Sequence, residues 1–263
     1  NQAAQYRARH GKRISCAAGT TGIMVHWSRV FSRHSMTTIL SIETSGDACS
    51  VSLIRGDQAT SLDAEEPRSH GRMLVPLIEM LLRHEEAVVG AVCVNQGPGS
   101  YTGLRIGLST AKGLAWSLGI PLYAIPSLDL MAAACQEQDD QGQVPPTVRC
   151  VMPARGTDVY TARYALHGTG LTCLEPPDIQ PLHDLLPLTA SEGLIVSSVS
   201  VAEKLPADQF IRVHPPHSRH AALLLRNPDH PYGVDDVSSL EPLYLREFEA
   251  RRPAVSIFDR LPF

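Results

Sequence analysis

Residues 39–63 read ILSIETSGDACSVSLIRGDQATSLD, and the pattern of this stretch decides the fold class. Thr37–Glu43 and Ala48–Ile54 are rich in β-branched and apolar residues, and Ser45-Gly46-Asp47 between them reads as a hairpin turn. Arg55-Gly56-Asp57 turns the chain again, into a third run near Gln58–Asp63. Three antiparallel strands followed by a helix predict an α/β chain with a mixed sheet, not a purely parallel one.

The helix begins where Ser69 is placed to cap it, and Met73, Leu74, Leu77, Ile78, Leu81 and Leu82 form one apolar stripe at helical spacing. Pro76 inside that stripe removes a backbone donor and predicts a kink. Val88–Val94 reads as a buried strand, and Gln96–Gly103 as a sharp loop opening a second helix that runs to about Ser117. Within this second helix Gly103, Gly107, Ala111 and Ala115 recur every four residues and leave one face nearly bare. Glycine inside a helix costs about 1 kcal/mol relative to alanine, so the pattern implies a packing reason. Two readings stand: close packing on the chain's own sheet, or a docking face for a helix of another subunit.

Further on, Pro121–Ile125 reads as a strand and Ser127–Cys135 as a short helix. The polar stretch 137–143, followed by Pro145-Pro146, predicts a boundary between a subdomain at 36–137 and a smaller one at 145–252. Val148–Met152, Val159–Leu166 and Leu194–Val196 are expected strands and His220–Leu225 an expected helix, so two strand-then-helix halves fit a pseudo-duplicated architecture. Residues 1–35 hold Arg7, Arg9, Lys12, Arg13, Arg29 and Arg33 without an Asp or Glu. They are expected to be a disordered leader or an extension upstream of a start at Met36, in preference to a targeting peptide. The whole chain carries −4, which disfavours independent binding to a polyanion; without the six leader charges, residues 36–263 hold −10. Six cysteines without a C-x-x-C pair read as reduced core residues, and no apolar run is long enough to cross a bilayer.

The chemistry-bearing residues are sparse. Gly97–Gly103 at a helix N-terminus offers a phosphate cradle, but no Lys-Ser/Thr follows it, as a P-loop requires, and a tight helix-entry loop is the favoured reading. Glu43 at a strand end stands where actin-like kinases place an acid that positions metal-nucleotide, yet a turn or capping role is the commoner use. His214, His217 and His220 are interrupted by Pro215-Pro216, and no H-x-x-x-H pair exists in the chain. Ser50, Ser100 and Ser109 lack a G-x-S-x-G setting. The residues therefore predict no catalytic, cofactor or metal site.

The strings ILSIETSGDACSVSL (39–53), SHGRMLVPLIEMLL (69–82), NQGPGSYTGLRIGLSTAKGLA (95–115), ARGTDVY (154–160) and EPLYLRE (241–247) resemble the TsaB (YeaZ) family, over roughly residues 36–247. The resemblance implies an actin-like ATPase, sugar-kinase-type (ribonuclease H-like) fold of mixed sheets with helices in two subdomains. It also implies a cytoplasmic, non-catalytic role in making threonylcarbamoyladenosine beside the anticodon of tRNAs that read codons starting with A. In that system a paralogue, TsaD, carries the metal and transfers threonylcarbamoyl. The TsaB-type protein pairs with TsaD as a heterodimer, TsaE joins them, tRNA is met only through the complex, and a homodimer is the option when the chain is alone. The family's dimerisation helices match Ser69–Arg83 and Thr102–Ser117. By that match Met73, Leu74, Leu77, Ile78, Leu81, Tyr101, Gly103, Leu104, Gly107, Leu108 and Ala111 are expected at the TsaD interface. Pro153 departs from the family's D-A-R segment and leaves only Arg155 to carry over. The alternative is an enzyme in its own right, kinase-like or glycoprotease-like.

Overall fold

The computed structural model describes residues 5–8, 13–15, 37–64, 66, 69–137, 144–167, 170–185, 193–197, 199–204, 211–226 and 230–245. Strands β1 (Gln5–Ala8) and β2 (Arg13–Ser15) pair antiparallel, and β1 pairs in turn with β5 (Gln58–Ala64). The rest of the expected leader, the boundary residues 138–143 and residues beyond 245 lie outside the described residues.

Residues 39–64 form β3 (Ile39–Glu43), β4 (Cys49–Arg55) and β5, paired antiparallel through the two turns the sequence marks. Helix α1 (His70–His84) follows, then β6 (Ala91–Gly97) parallel to β3, helix α2 (Tyr101–Leu118), β7 (Leu122–Pro126) parallel to β6, and α3 (Ser127–Glu137). The sheet order is β2-β1-β5-β4-β3-β6-β7. A second sheet comprises β8 (Thr147–Pro153), β9 (Asp158–His167), β10 (Gly170–Pro181), β11 (Gly193–Val196) and β12 (Ile211–Val213), in the order β10-β9-β8-β11-β12. In each sheet three antiparallel strands in sequence are followed by a fourth and a fifth added parallel on the far side of the first. One winding used twice, with helices as crossovers, is the actin-like, sugar-kinase-type topology that the resemblance implied.

Both faces of the first sheet are covered, which is why its central strands are apolar without strict alternation. One face packs Leu40, Ile42, Val51, Val92 and Val94 against Leu74, Leu77, Leu81, Leu108 and Ala111 of α1 and α2. The other packs Ile54, Cys93 and Ile125 against α3 and the short helix Ala221–Leu224. Burying each large aliphatic side chain contributes roughly 1.5–3 kcal/mol. Helix α1 runs on through Pro76, and Ser69, at its N-cap position, donates its hydroxyl to the Glu66 carbonyl (2.7 Å) instead of capping the helix. Cys49, Cys93, Cys135 and Cys150 are buried free thiols, whereas Cys173 on β10 is exposed, a correction to the all-core reading.

Candidate functional site

The polar residues of the first half converge under the N-terminus of α2. Glu43 ends β3 fully buried, and its Oε1 accepts from the Ser45 amide (2.6 Å), the Ser45 hydroxyl (2.5 Å) and Asn95 Nδ2 (3.2 Å). Asn95 Nδ2 also donates to Ser45 Oγ (3.1 Å), while Asn95 Oδ1 accepts from the Gly97 amide (2.7 Å) and lies 2.8 Å from Ser127 Oγ. Ser127 Oγ in turn sits 2.6 Å from the carbonyl of Pro98, the proline of a cis Gly97–Pro98 bond. No cation reaches the carboxyl in this set of bonds. Burial therefore dominates and lifts Glu43 from its ordinary 4.5 to about 7; the hydrogen bonds from Ser45 oppose the rise and Asp63 adds to it.

The hairpin after Glu43 lies against the loop that enters α2. The Ser100 amide donates to the Ser45 carbonyl (2.7 Å), the Gly103 amide to Ser100 Oγ (3.2 Å), and Thr44 Oγ1 to the Gly103 carbonyl (2.8 Å). The glycines are what allow this approach. A Cβ on Gly103 would lie 2.0 Å from the Thr44 carbonyl oxygen, and one on Gly107 2.3 Å from Thr44 Oγ1. At Gly99, with φ +157°, a Cβ would lie 2.5 Å from the Ser45 carbonyl oxygen.

This settles the direction of the small-residue stripe. Gly103 and Gly107 pack on Thr44 of the chain's own β3–β4 turn and Ala111 is buried in the core, so the expectation that these three form an open docking groove is corrected. Leu104 and Leu108 are buried beside them, and Met73, Leu74, Leu77, Ile78 and Leu81 are buried in the core beneath α1. Of the expected interface residues only Tyr101, at 42%, is exposed. The outward side of the same helices carries residues the periodicity did not single out. On α1 it presents Arg72, Val75 (61% exposed), Pro76 and Glu79; on α2 it presents Thr102, Arg105, Ser109, Gly113 and Trp116 (76%). The two helices pack side by side, with Gly71 against Ile106.

The histidines are committed elsewhere. His217 Nε2 is bonded to Asp63 Oδ1 (2.8 Å) and its Nδ1 accepts from the Arg219 amide (3.1 Å), so both ring nitrogens are engaged; His220 Nε2 accepts from Arg219 Nε (3.0 Å). Burial, then Arg212 and Arg219, push His214 downward. Among the described residues no group of three or more His, Cys, Asp or Glu is placed to hold a metal. Arg155 is exposed in the β8–β9 turn. Sequence reasoning missed Asp129 on α3, which accepts from the hydroxyls of Tyr164 (2.7 Å) and Tyr232 (2.9 Å) and is raised chiefly by burial. Its signal was one acid set inside the apolar run Leu128–Cys135.

A family model described as TsaD, tRNA N6-adenosine threonylcarbamoyltransferase, matches residues 64–218. The Bacillus subtilis tRNA threonylcarbamoyladenosine biosynthesis protein TsaB is 30% identical over 229 residues, covering 81% of this chain and 96% of that protein. The chain belongs to the TsaB (YeaZ) family. Escherichia coli TsaB is 29% identical over 136 residues, spanning 51% of this chain and 57% of that protein. The structure of YeaZ from Pseudomonas aeruginosa superposes with a TM-score of 0.68 at 26% identity, covering 80% of this chain and all of that one. TsaB membership and the double winding agree on the fold. Among the described residues no helix is long and apolar enough to cross a membrane.

Proposed function

We propose that the chain acts in tRNA threonylcarbamoyladenosine biosynthesis as a non-catalytic, cytoplasmic partner of a TsaD-type transferase, docking through the outward side of α1 and α2. The observation that carries this reading is the filled entrance to α2. The amides of Gly97, Ser100 and Gly103, which would face a phosphate, already donate to Asn95, Ser45 and Ser100 of the chain itself. Thr44 and Ser45 occupy the space in front of the glycines. The chain then contributes shape to a complex in which the transferase supplies the chemistry, TsaE joins the pair, and tRNA is met through the assembly.

The test is threonylcarbamoyl transfer by the purified TsaD-type protein with and without this chain, together with a pull-down. Transfer should depend on the chain, and Val75→Asp should abolish both the pull-down and the stimulation while thermal unfolding stays within about 0.5 kcal/mol of wild type, as for an exposed site. Transfer at full rate without the chain would defeat the partner role. Hydrolysis of ATP or of a protein substrate by the chain alone, lost in Glu43→Gln, would support the enzyme reading in its place.

A further inference from the structure

Helix α2 contains no Asp or Glu along Tyr101–Leu118, and its two cations are differently employed. Lys112 Nζ donates to the carbonyls of Ser238 (2.8 Å) and Leu240 (3.0 Å), tying the C-terminal segment to the helix. Arg105 points outward. Its guanidinium carbon lies 5.3 Å from the centroid of the Tyr101 ring, and Nη1 donates to the Tyr101 hydroxyl (2.6 Å). Tyr101 is itself stacked on Tyr244, with centroids 5.3 Å apart and planes 25° from parallel.

Among the described residues no carboxylate pairs with Arg105. The other arginines of this face are matched within the chain, Arg72 with Glu66 and Arg83 with Glu79. Arg105 is thus a charge fixed in place by an aromatic stack, with one donor used by the Tyr101 hydroxyl. A guanidinium carries five N–H donors in a rigid planar fork that matches a carboxylate, and one already ordered loses less freedom on binding. Exposed Val75 and Pro76 on the neighbouring helix supply apolar surface on the same side.

We infer that Arg105 is the polar anchor of the α1–α2 docking face and receives an Asp or Glu side chain from a helix of the partner. The inference rests on the docking reading above and adds the chemistry of the contact. A protein carboxylate fits better than a nucleic-acid phosphate for two reasons. The full chain carries a net −4, which does not favour a polyanion. No second unmatched Lys or Arg lies on α1 or α2 among the described residues, whereas nucleic-acid binding draws on several such charges at once.

The experiment is a titration of the full chain against the TsaD-type transferase by calorimetry, repeated across a range of salt concentrations. Arg105→Gln should weaken binding at least tenfold at low salt and flatten the salt dependence. Arg105→Lys, which keeps the charge and loses the fork, should retain the salt dependence and weaken binding several-fold; it serves as the second variant should Arg105→Gln unfold. Val75→Asp separates the two levels of the argument. If Val75→Asp abolishes binding and Arg105→Gln binds as wild type, the docking face stands and the carboxylate anchor falls. If neither variant affects binding, both fall. If Arg105→Gln leaves partner affinity intact but removes a salt-sensitive tRNA gel shift of the isolated chain, the anchor serves nucleic acid and the inference is overturned.

Discussion

The contact between Thr44 and α2 can be tested by a double-mutant cycle. In Gly107→Ala the new methyl would sit 2.3 Å from Thr44 Oγ1, and Thr44 is fully buried, with no solvent to move into. Overpacking of this kind costs typically 1–3 kcal/mol, while alanine regains about 1 kcal/mol of helix propensity over glycine. The single variant should therefore be destabilised by a net amount of about 1 kcal/mol. Thr44→Ala alone loses the 2.8 Å bond to the Gly103 carbonyl, worth about 1 kcal/mol. In the pair Thr44→Ala/Gly107→Ala the clashing oxygen is gone, the nearest remaining side-chain atom being Thr44 Cβ at 3.4 Å. The added methyl then fills the space that the threonine vacates. Urea unfolding of the four proteins should give a favourable coupling of about 2 kcal/mol. Gly103→Ala provides the control, because its methyl would meet the Thr44 backbone oxygen at 2.0 Å, which no side-chain truncation relieves; Thr44→Ala should not rescue it. A Gly107→Ala protein as stable as wild type and defective only in binding its partner would refute the packing argument and return the stripe to an intermolecular role.

Because Glu43 is raised from 4.5 to about 7 in the folded chain, the native state holds that proton more tightly than the unfolded one. Its contribution favours folding below about pH 4.5, is lost as pH rises through 7, and leaves a difference of about 3 kcal/mol; Glu43→Gln should abolish this slope in unfolding free energy between pH 5 and 8. Asp129→Ala strands the hydroxyls of Tyr164 and Tyr232 and should lower stability by about 2–4 kcal/mol in chemical denaturation. Maleimide labelling read by peptide mapping should modify Cys173 in the native chain and reach Cys49, Cys93, Cys135 and Cys150 only after unfolding.

The legible part of this fold is the part set by near neighbours. Turns at 45–47 and 55–57 pin the β3–β5 ladder, and the stripe from Met73 to Leu82 fixes which side of α1 is inside. The β6 strand lies three residues later than its apolar run implies, at Ala91–Gly97 and not Val88–Val94, because Asn95 and Gly97 still pair with β7 across a register shift; Asn95 turns inward to the Glu43 hub. Helical spacing reveals a bare face along Gly103, Gly107 and Ala111 but carries no information on what covers it. The covering residue, Thr44, lies 59 positions from Gly103, and a contact over that separation leaves no periodic trace. Arg105 and Tyr101, one helical turn apart, are local in sequence, yet their exposure and their stacking on Tyr244 depend on a C-terminal segment that crosses to β6 through the Leu243 amide and the Gln96 carbonyl.

The two halves share a winding but not a surface. Between the third and fourth strands the first half inserts the fifteen residues of α1, where the second half has the four-residue turn Leu182–Leu185 among its described residues. Between the fourth and fifth strands the first half inserts the eighteen residues of α2, where the second half shows four helical residues, Val199–Ala202. A helix presents a face to another helix only over several turns, since the residues of one face recur every three or four positions. Among the described residues, only the first half therefore offers two adjacent faces long enough for helix-on-helix packing. Its inner faces must be held rigid for the outer ones to be shaped in advance. Thr44, Ser45 and Glu43 do this at the N-terminus of α2, fixing the turn that carries Tyr101 and Arg105. The strand-end acid and the glycine loop that resemble nucleotide-handling parts are, in this chain, the internal support of the turn that carries the proposed docking residues.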